Sequence, residues 1–283
     1  MSKRKYILCI LSIILLVIIG ILGRSWVDET RLNQSKIQNS RLYPVIFIPG
    51  SSATVNRFDD LFNKLNANPN QKHSVLKINI KKDGQYDISG TIRQTDFRPF
   101  IVIGFENNAD GYSNIKKQAS YIDDVLTLLQ NRYHFHHFDA IGHSNGGLIW
   151  TRYLEKYFNN QQFVMNHLMT LGTPYNFSET SISRKTEMLK DMIQGRTQLP
   201  SNLIVYSIAG TEDYTDDGIV PVQSVTAGKY IFQNYTQKYM QITLSGNEAQ
   251  HSNLPDNNEV VSIINQYILT DNSNPRNPTN APK

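Results

Sequence analysis

F-D-A-I-G-H-S-N-G-G-L-I-W, from Phe138 to Trp150, is the stretch on which the reading of this chain turns. Phe138, Ala140 and Ile141 form the apolar run of a short buried strand, and Gly147, Leu148, Ile149 and Trp150 read as the first turn of a helix. Between them Gly142-His143-Ser144-Asn145-Gly146 must turn sharply, with a serine at the apex. A serine held there in a strained conformation brings strand and helix so close that a β-carbon at Gly142 or Gly146 would clash. The same turn exposes the hydroxyl and aims the helix amino terminus at it, where backbone N–H groups can stabilise an oxyanion. G-x-S-x-G alone arises by chance in roughly one chain of this length in ten. The weight of the signal therefore lies in its place between a strand and a helix.

Outward from the serine, strands alternate with helices. Y-P-V-I-F-I (Tyr43 to Ile48) is a buried strand closed by Pro49-Gly50-Ser51-Ser52-Ala53-Thr54, and Phe58, Leu61, Phe62 and Leu65 follow at helical spacing. Residues 74–92 alternate as a β-hairpin with a glycine in its turn and carry no evident chemistry. F-I-V-I-G-F (Phe100 to Phe105) is a strand, and Tyr121, Val125, Leu126 and Leu129 mark a long helix ending near Tyr133. After the serine helix (about 146–158), strands are expected over 163–171, 203–208 and 239–244, and a closing helix through Val260, Val261, Ile264 and Ile268. This order implies an α/β fold with a mainly parallel sheet covered on both faces. Residues 175–201 interrupt the alternation. Their stripe of Ile182, Met188, Leu189, Met192 and Ile193 reads equally as a helix packed on the core or as a small cap over the serine.

Charge and length set the outer limits. The 283 residues suit one sizeable core of about 230 residues with appendages. Lys3, Arg4, Lys5 and Arg24 are the only charges in the first 24 residues; removing them from 28 basic residues leaves 24, equal to the 24 acidic ones. The folded part is formally neutral, which excludes nucleic acid as a partner. Lys3-Arg4-Lys5 precede an uncharged apolar run from Tyr6 to Gly23, so residues 1–24 read as a membrane anchor or signal peptide. Ile21-Leu22-Gly23-Arg24-Ser25 offers no clean small-x-small cleavage site, which favours the uncleaved anchor over the cleaved signal. Basic residues before the span, with Asp28 and Glu29 after it, place the domain outside the cell or secreted from it. Polar residues 25–41 read as a stalk, 42–270 as the domain, and the Asn/Pro-rich 271–283 as a disordered tail. Cys9 is the sole cysteine, so the domain beyond it has no disulfide and no thiol nucleophile.

A serine hydroxyl needs a base, and the base needs a carboxylate to fix its tautomer and stabilise the imidazolium. The loop after strand 239–244 holds His251, with no other histidine beyond His167. The loop after strand 203–208 holds the acids. Asp217, preceding Gly218-Ile219-Val220-Pro221, is the leading candidate, with Asp213 and Asp216 as alternatives. Backbone N–H groups of Ser51 and Asn145 are the candidate oxyanion donors. His143 is expected to point away from the base, His73 and His167 to be structural, and His134, His136 and His137 not to bind metal.

Ile46-Phe47-Ile48-Pro49-Gly50, Phe105-Glu106-Asn107-Asn108, the Gly142–Gly147 block, Leu171-Gly172-Thr173-Pro174, Asp217–Pro221 and Gln250-His251-Ser252 with Leu254 together resemble the α/β-hydrolases of Gram-positive bacteria named cell-surface hydrolases. The resemblance covers roughly residues 42–270. It implies a lipase-like α/β-hydrolase fold, a triad of Ser144, Asp217 and His251, and no cofactor. The family usually reads His-Gly where this chain has Pro49-Gly50, and Met where it has Asn145; both changes keep the backbone donors. The expected function is hydrolysis of a small-molecule or lipid carboxylic ester. The alternatives are acyl transfer to a cell-envelope acceptor and a non-catalytic binding module on the same scaffold.

Overall fold

The computed structural model describes residues 3–69 and 71–269; the proposed tail at 271–283 lies outside them. Helix α1 (Lys3–Asn39) holds the apolar run and continues without a break through most of the residues read as a stalk. Its segment Ile10–Ile37 is long and apolar enough to cross a membrane, and none of it is buried by the rest of the chain.

Eight strands form one sheet: β1 (Val45–Ile48), β2 (Val75–Ile80), β3 (Tyr86–Gly90), β4 (Phe100–Phe105), β5 (His137–His143), β6 (Val164–Leu171), β7 (Ile204–Thr211) and β8 (Lys238–Ser245). Their order is β3-β2-β4-β1-β5-β6-β7-β8, and only the β2–β3 hairpin is antiparallel. The remaining helices are α2 (Asp59–Leu65), α3 (Tyr112–Tyr133), α4 (Asn145–Lys156), α5 (Glu187–Gly195), α6 (Val222–Thr226), α7 (Lys229–Phe232) and α8 (Asn258–Ile264). Successive strand residues face opposite ways, so each central strand feeds two cores. Ile46, Ile48, Ile101 and Ile103 pack beneath α3 and α4. Val45, Phe47, Phe100 and Val102 pack beneath α2 and α8. This is the α/β-hydrolase fold expected from the sequence.

The 175–201 segment divides between its two readings. Met188, Leu189 and Met192 of α5 are buried in the core shared with α4, and Thr186 caps that helix by accepting from Leu189 N–H at 3.3 Å. Phe177 and Ser178, in the lead-in to α5, line the cleft beside Ser144.

Candidate active site

Ser144 closes β5 with φ 53° and ψ −125°, a backbone conformation that non-glycine residues seldom adopt. Neighbouring glycines allow it. A β-carbon on Gly146 would lie 2.0 Å from the Ile48 carbonyl oxygen, and one on Gly142 would lie 2.4 Å from Gly147 N. The steric expectation for this turn therefore holds at both positions. The Ser144 N–H donates to Leu171 O at 2.8 Å, and the Ser144 carbonyl accepts from Thr173 Oγ1 at 3.0 Å. These bonds clamp the elbow to the end of β6.

The first loop comes to the same place because β1 lies beside β5, with Ile48 in register with Gly142. Gly50 is so close that an added β-carbon would sit 2.7 Å from Ser144 Cβ. Ser52 N–H donates to Asn108 O at 2.9 Å, tying this loop to the one after β4. Among the described residues the N–H groups of Ser51 and Asn145 have no acceptor, and both residues border the cleft that Ser144 lines.

From the far side, His251 Nδ1 donates to Asp217 Oδ2 at 2.7 Å. Asp217 is 1% exposed, and its Oδ1 accepts from Val220 N–H at 2.7 Å and Ile219 N–H at 3.1 Å. Gly218, at φ 88°, makes that tight turn possible. A further backbone bond, His251 N–H to Asp217 O at 2.8 Å, locks the two loops together. With Nδ1 donating to the carboxylate, the Nε2 lone pair is left free. Of the three candidate acids only Asp217 meets the histidine. Asp213 is bound by Thr215, and Asp216 accepts from Gly218 N–H; both hydrogen bonds are exposed.

Two neighbours escaped the sequence. Gly172, at φ 55°, forms the wall behind the pair; a β-carbon there would lie 3.1 Å from both Asp217 Oδ2 and His251 Nδ1. His143 does not point away from the base as expected. Its ring lies 4.8 Å from the His251 ring, and its Nε2 donates to the His251 carbonyl at 3.0 Å. Burial holds the His143 pKa well below the ordinary value, so it packs as a neutral ring. Strand alternation is a poor guide at the last residue of β5, where the chain is already entering the elbow. His73 and His167 are structural, as expected: His73 stacks on Phe100, and His167 pairs with Asp139 inside the sheet. Among the described residues no cluster of three or more His, Cys, Asp or Glu side chains could hold a metal ion.

The cleft has a volume of about 460 Å³. Ser51, Asp110 and Ser178 give it polar walls, and Phe177, Ile219 and Val220 give it apolar ones. Ile219, 65% exposed, stands at the mouth.

Comparison with known proteins places this chain in a family. A cell surface hydrolase by name, from Lactobacillus plantarum WCFS1, is 50% identical, covers 82% of this chain and 93% of its own, and superposes with a TM-score of 0.75. The lin2722 gene product of Listeria innocua is 24% identical, covers 81% of this chain and 95% of its own, and superposes with a TM-score of 0.74, a likeness of fold. No protein of curated function matches the sequence. The sequence model for "Alpha/beta hydrolase of unknown function (DUF915)" matches residues 32–271, and the chain belongs to that family.

Proposed function

We propose that this protein is a serine hydrolase that cleaves carboxylic esters through an acyl-enzyme on Ser144. His251 Nε2 takes the hydroxyl proton as Ser144 Oγ attacks the ester carbonyl. Asp217 keeps the proton on Nδ1 and stabilises the imidazolium. The Ser51 and Asn145 amides donate to the tetrahedral oxyanion, which collapses as His251 returns its proton to the leaving alcohol. His251 then activates water, and the acyl group leaves as the carboxylic acid. The observation that carries this reading is the buried His251–Asp217 hydrogen bond, whose imidazole packs at 4.8 Å on His143, the residue before a serine held at positive φ.

The anchor belongs to the same proposal. Helix α1 would hold the domain at the outer face of the membrane, in keeping with Lys3-Arg4-Lys5 ahead of the apolar run and with the name of the Lactobacillus plantarum relative.

Stopped-flow hydrolysis of short nitrophenyl esters by the full chain in detergent tests the chemistry. A burst of alcohol, with one acyl group trapped on Ser144 by mass, is expected. Steady hydrolysis that survives Ser144→Ala unchanged would refute the proposal.

A further inference from the structure

One charged side chain lines the cleft beside Ser144, and the steps above do not use it. Asp110 lies in the loop between β4 and α3. Its Oδ1 accepts from Asn145 Nδ2 at 2.7 Å and from Gly111 N–H at 2.8 Å. The carboxylate is thus fixed by the residue that would supply an oxyanion amide. Its Oδ2 has no hydrogen bond among the described residues, and no cation there comes within ion-pair distance of it. The cations of the adjoining wall are engaged elsewhere. Lys116 and Arg152 lie 4.7 and 5.8 Å from the centroid of the Tyr112 ring, and Arg152 also pairs with Glu155 at 3.1 Å and Asp191 at 3.0 Å. The cleft therefore presents a single unpaired negative charge close to the reacting serine, with the Phe177 ring on its wall.

We propose that Asp110 determines specificity and that the preferred substrates are esters carrying an ammonium group; this rests on Ser144 being the acyl acceptor. An ammonium brought to Oδ2 gains a charge-assisted hydrogen bond and, at the Phe177 ring, a cation–π contact. A carboxylate or phosphate group on the substrate meets repulsion at the same place. Asp110 is exposed, and an exposed ion pair changes relative rates by about two- to fivefold.

The test uses the full chain in detergent and two sets of esters. In one set the members differ only in an ammonium, methyl or carboxylate substituent on the acyl part; in the other the substituent is on the alcohol. The wild type should prefer ammonium over methyl by about two- to fivefold in kcat/KM in one set, which identifies the side that faces Asp110. Carboxylate should rank last, and the preference should shrink as salt is raised. Asp110→Asn keeps an oxygen for both hydrogen bonds to Oδ1, and its ammonium-to-methyl ratio should fall close to one. Asp110→Ser provides a second variant, and the salt dependence of the wild type needs none. An unchanged ratio in both variants, or no preference for ammonium in either set, overturns the inference while leaving ester hydrolysis intact. No hydrolysis of any ester by the wild type overturns the acyl-enzyme reading and this inference with it.

Discussion

Among the described residues, two buried histidine–aspartate pairs have nearly equal lengths. Past the carboxyl ends of β7 and β8, His251 Nδ1 meets Asp217 Oδ2 at 2.7 Å; within β5 and β6, His167 Nδ1 meets Asp139 Oδ1 at 2.8 Å. The difference lies in what surrounds each carboxylate. Asp139 also accepts from Arg98 at 2.7 Å and from the Tyr43 hydroxyl at 2.7 Å, and Arg98 itself donates to the Ile268 carbonyl. Burial would push its carboxyl up, but Arg98 and then His167 outweigh that and hold it below the ordinary range. This network joins the lead-in to β1, strands β5 and β6, and the turn at Ile268. Among the described residues Asp217 has only backbone donors from its own turn besides His251, so the imidazole is its one side-chain partner there. A histidine–aspartate contact thus has no fixed meaning. The loop pair packs against His143, the residue before the strained serine, with the two imidazole rings 4.8 Å apart, whereas the strand pair bridges β5 and β6.

Mutation can separate the two pairs, and the largest effect belongs to the loop pair. Ser144→Ala or His251→Ala should lower kcat by roughly 10⁴–10⁶-fold, the scale seen when a triad member is lost. His167→Ala should instead leave kcat/KM of the folded enzyme within about threefold and lower the melting temperature. Comparable losses of activity from both histidines would erase the distinction. Next, Asp217→Asn should cost about 10⁴-fold in kcat by disturbing the tautomer, while the same change at Asp213 or Asp216 should leave ester turnover almost unaltered.

Asp139→Asn turns the comparison around. Breaking a buried, multiply paired carboxylate should destabilise by about 3–5 kcal/mol in denaturant titration, with the surviving folded fraction still active. Stability unaffected by that change would show that the strand network is not structural.

A third buried carboxylate sharpens the contrast through pH. Burial raises the Glu155 pKa from 4.5 to about 8 despite the Arg152 guanidinium at 3.1 Å, and its Oε1 has no partner among the described residues. The folded chain keeps a proton here that the unfolded chain gives up near pH 4.5. The stabilisation from this group is therefore complete below pH 4.5 and lost as pH rises to about 8, a change on the order of a few kcal/mol. Unfolding of Glu155→Gln should lack that component of the pH dependence; identical pH–stability curves for variant and wild type would show that Glu155 does not titrate in this window.

The elbow, the strand–helix alternation and the order serine, acid, histidine were legible because each is local or follows from chain order. Asp217 was separable from its neighbours because Gly218-Ile219-Val220 encodes a turn that can grip a carboxylate. The course of α1 beyond Gly23 was not legible, since polar residues 25–39 fit a helix as well as a stalk. Nor was the seat of α5: its apolar stripe states that a face is buried but not against what. His143 beside His251 and Asp110 beside Asn145 join residues 108 and 35 positions apart. Those contacts arise from loop packing at the carboxyl ends of the strands, where no periodicity constrains side-chain direction.

The decisive measurement is fluorophosphonate labelling of the full chain in detergent, read by intact mass and peptide mapping, for the wild type, His251→Ala and His167→Ala. The wild type and His167→Ala should each take up one phosphonyl group on Ser144 at similar rates, and His251→Ala should not label. Folded wild type that stays unlabelled, or an adduct at any residue other than Ser144, would contradict the assignment of this site as an activated serine.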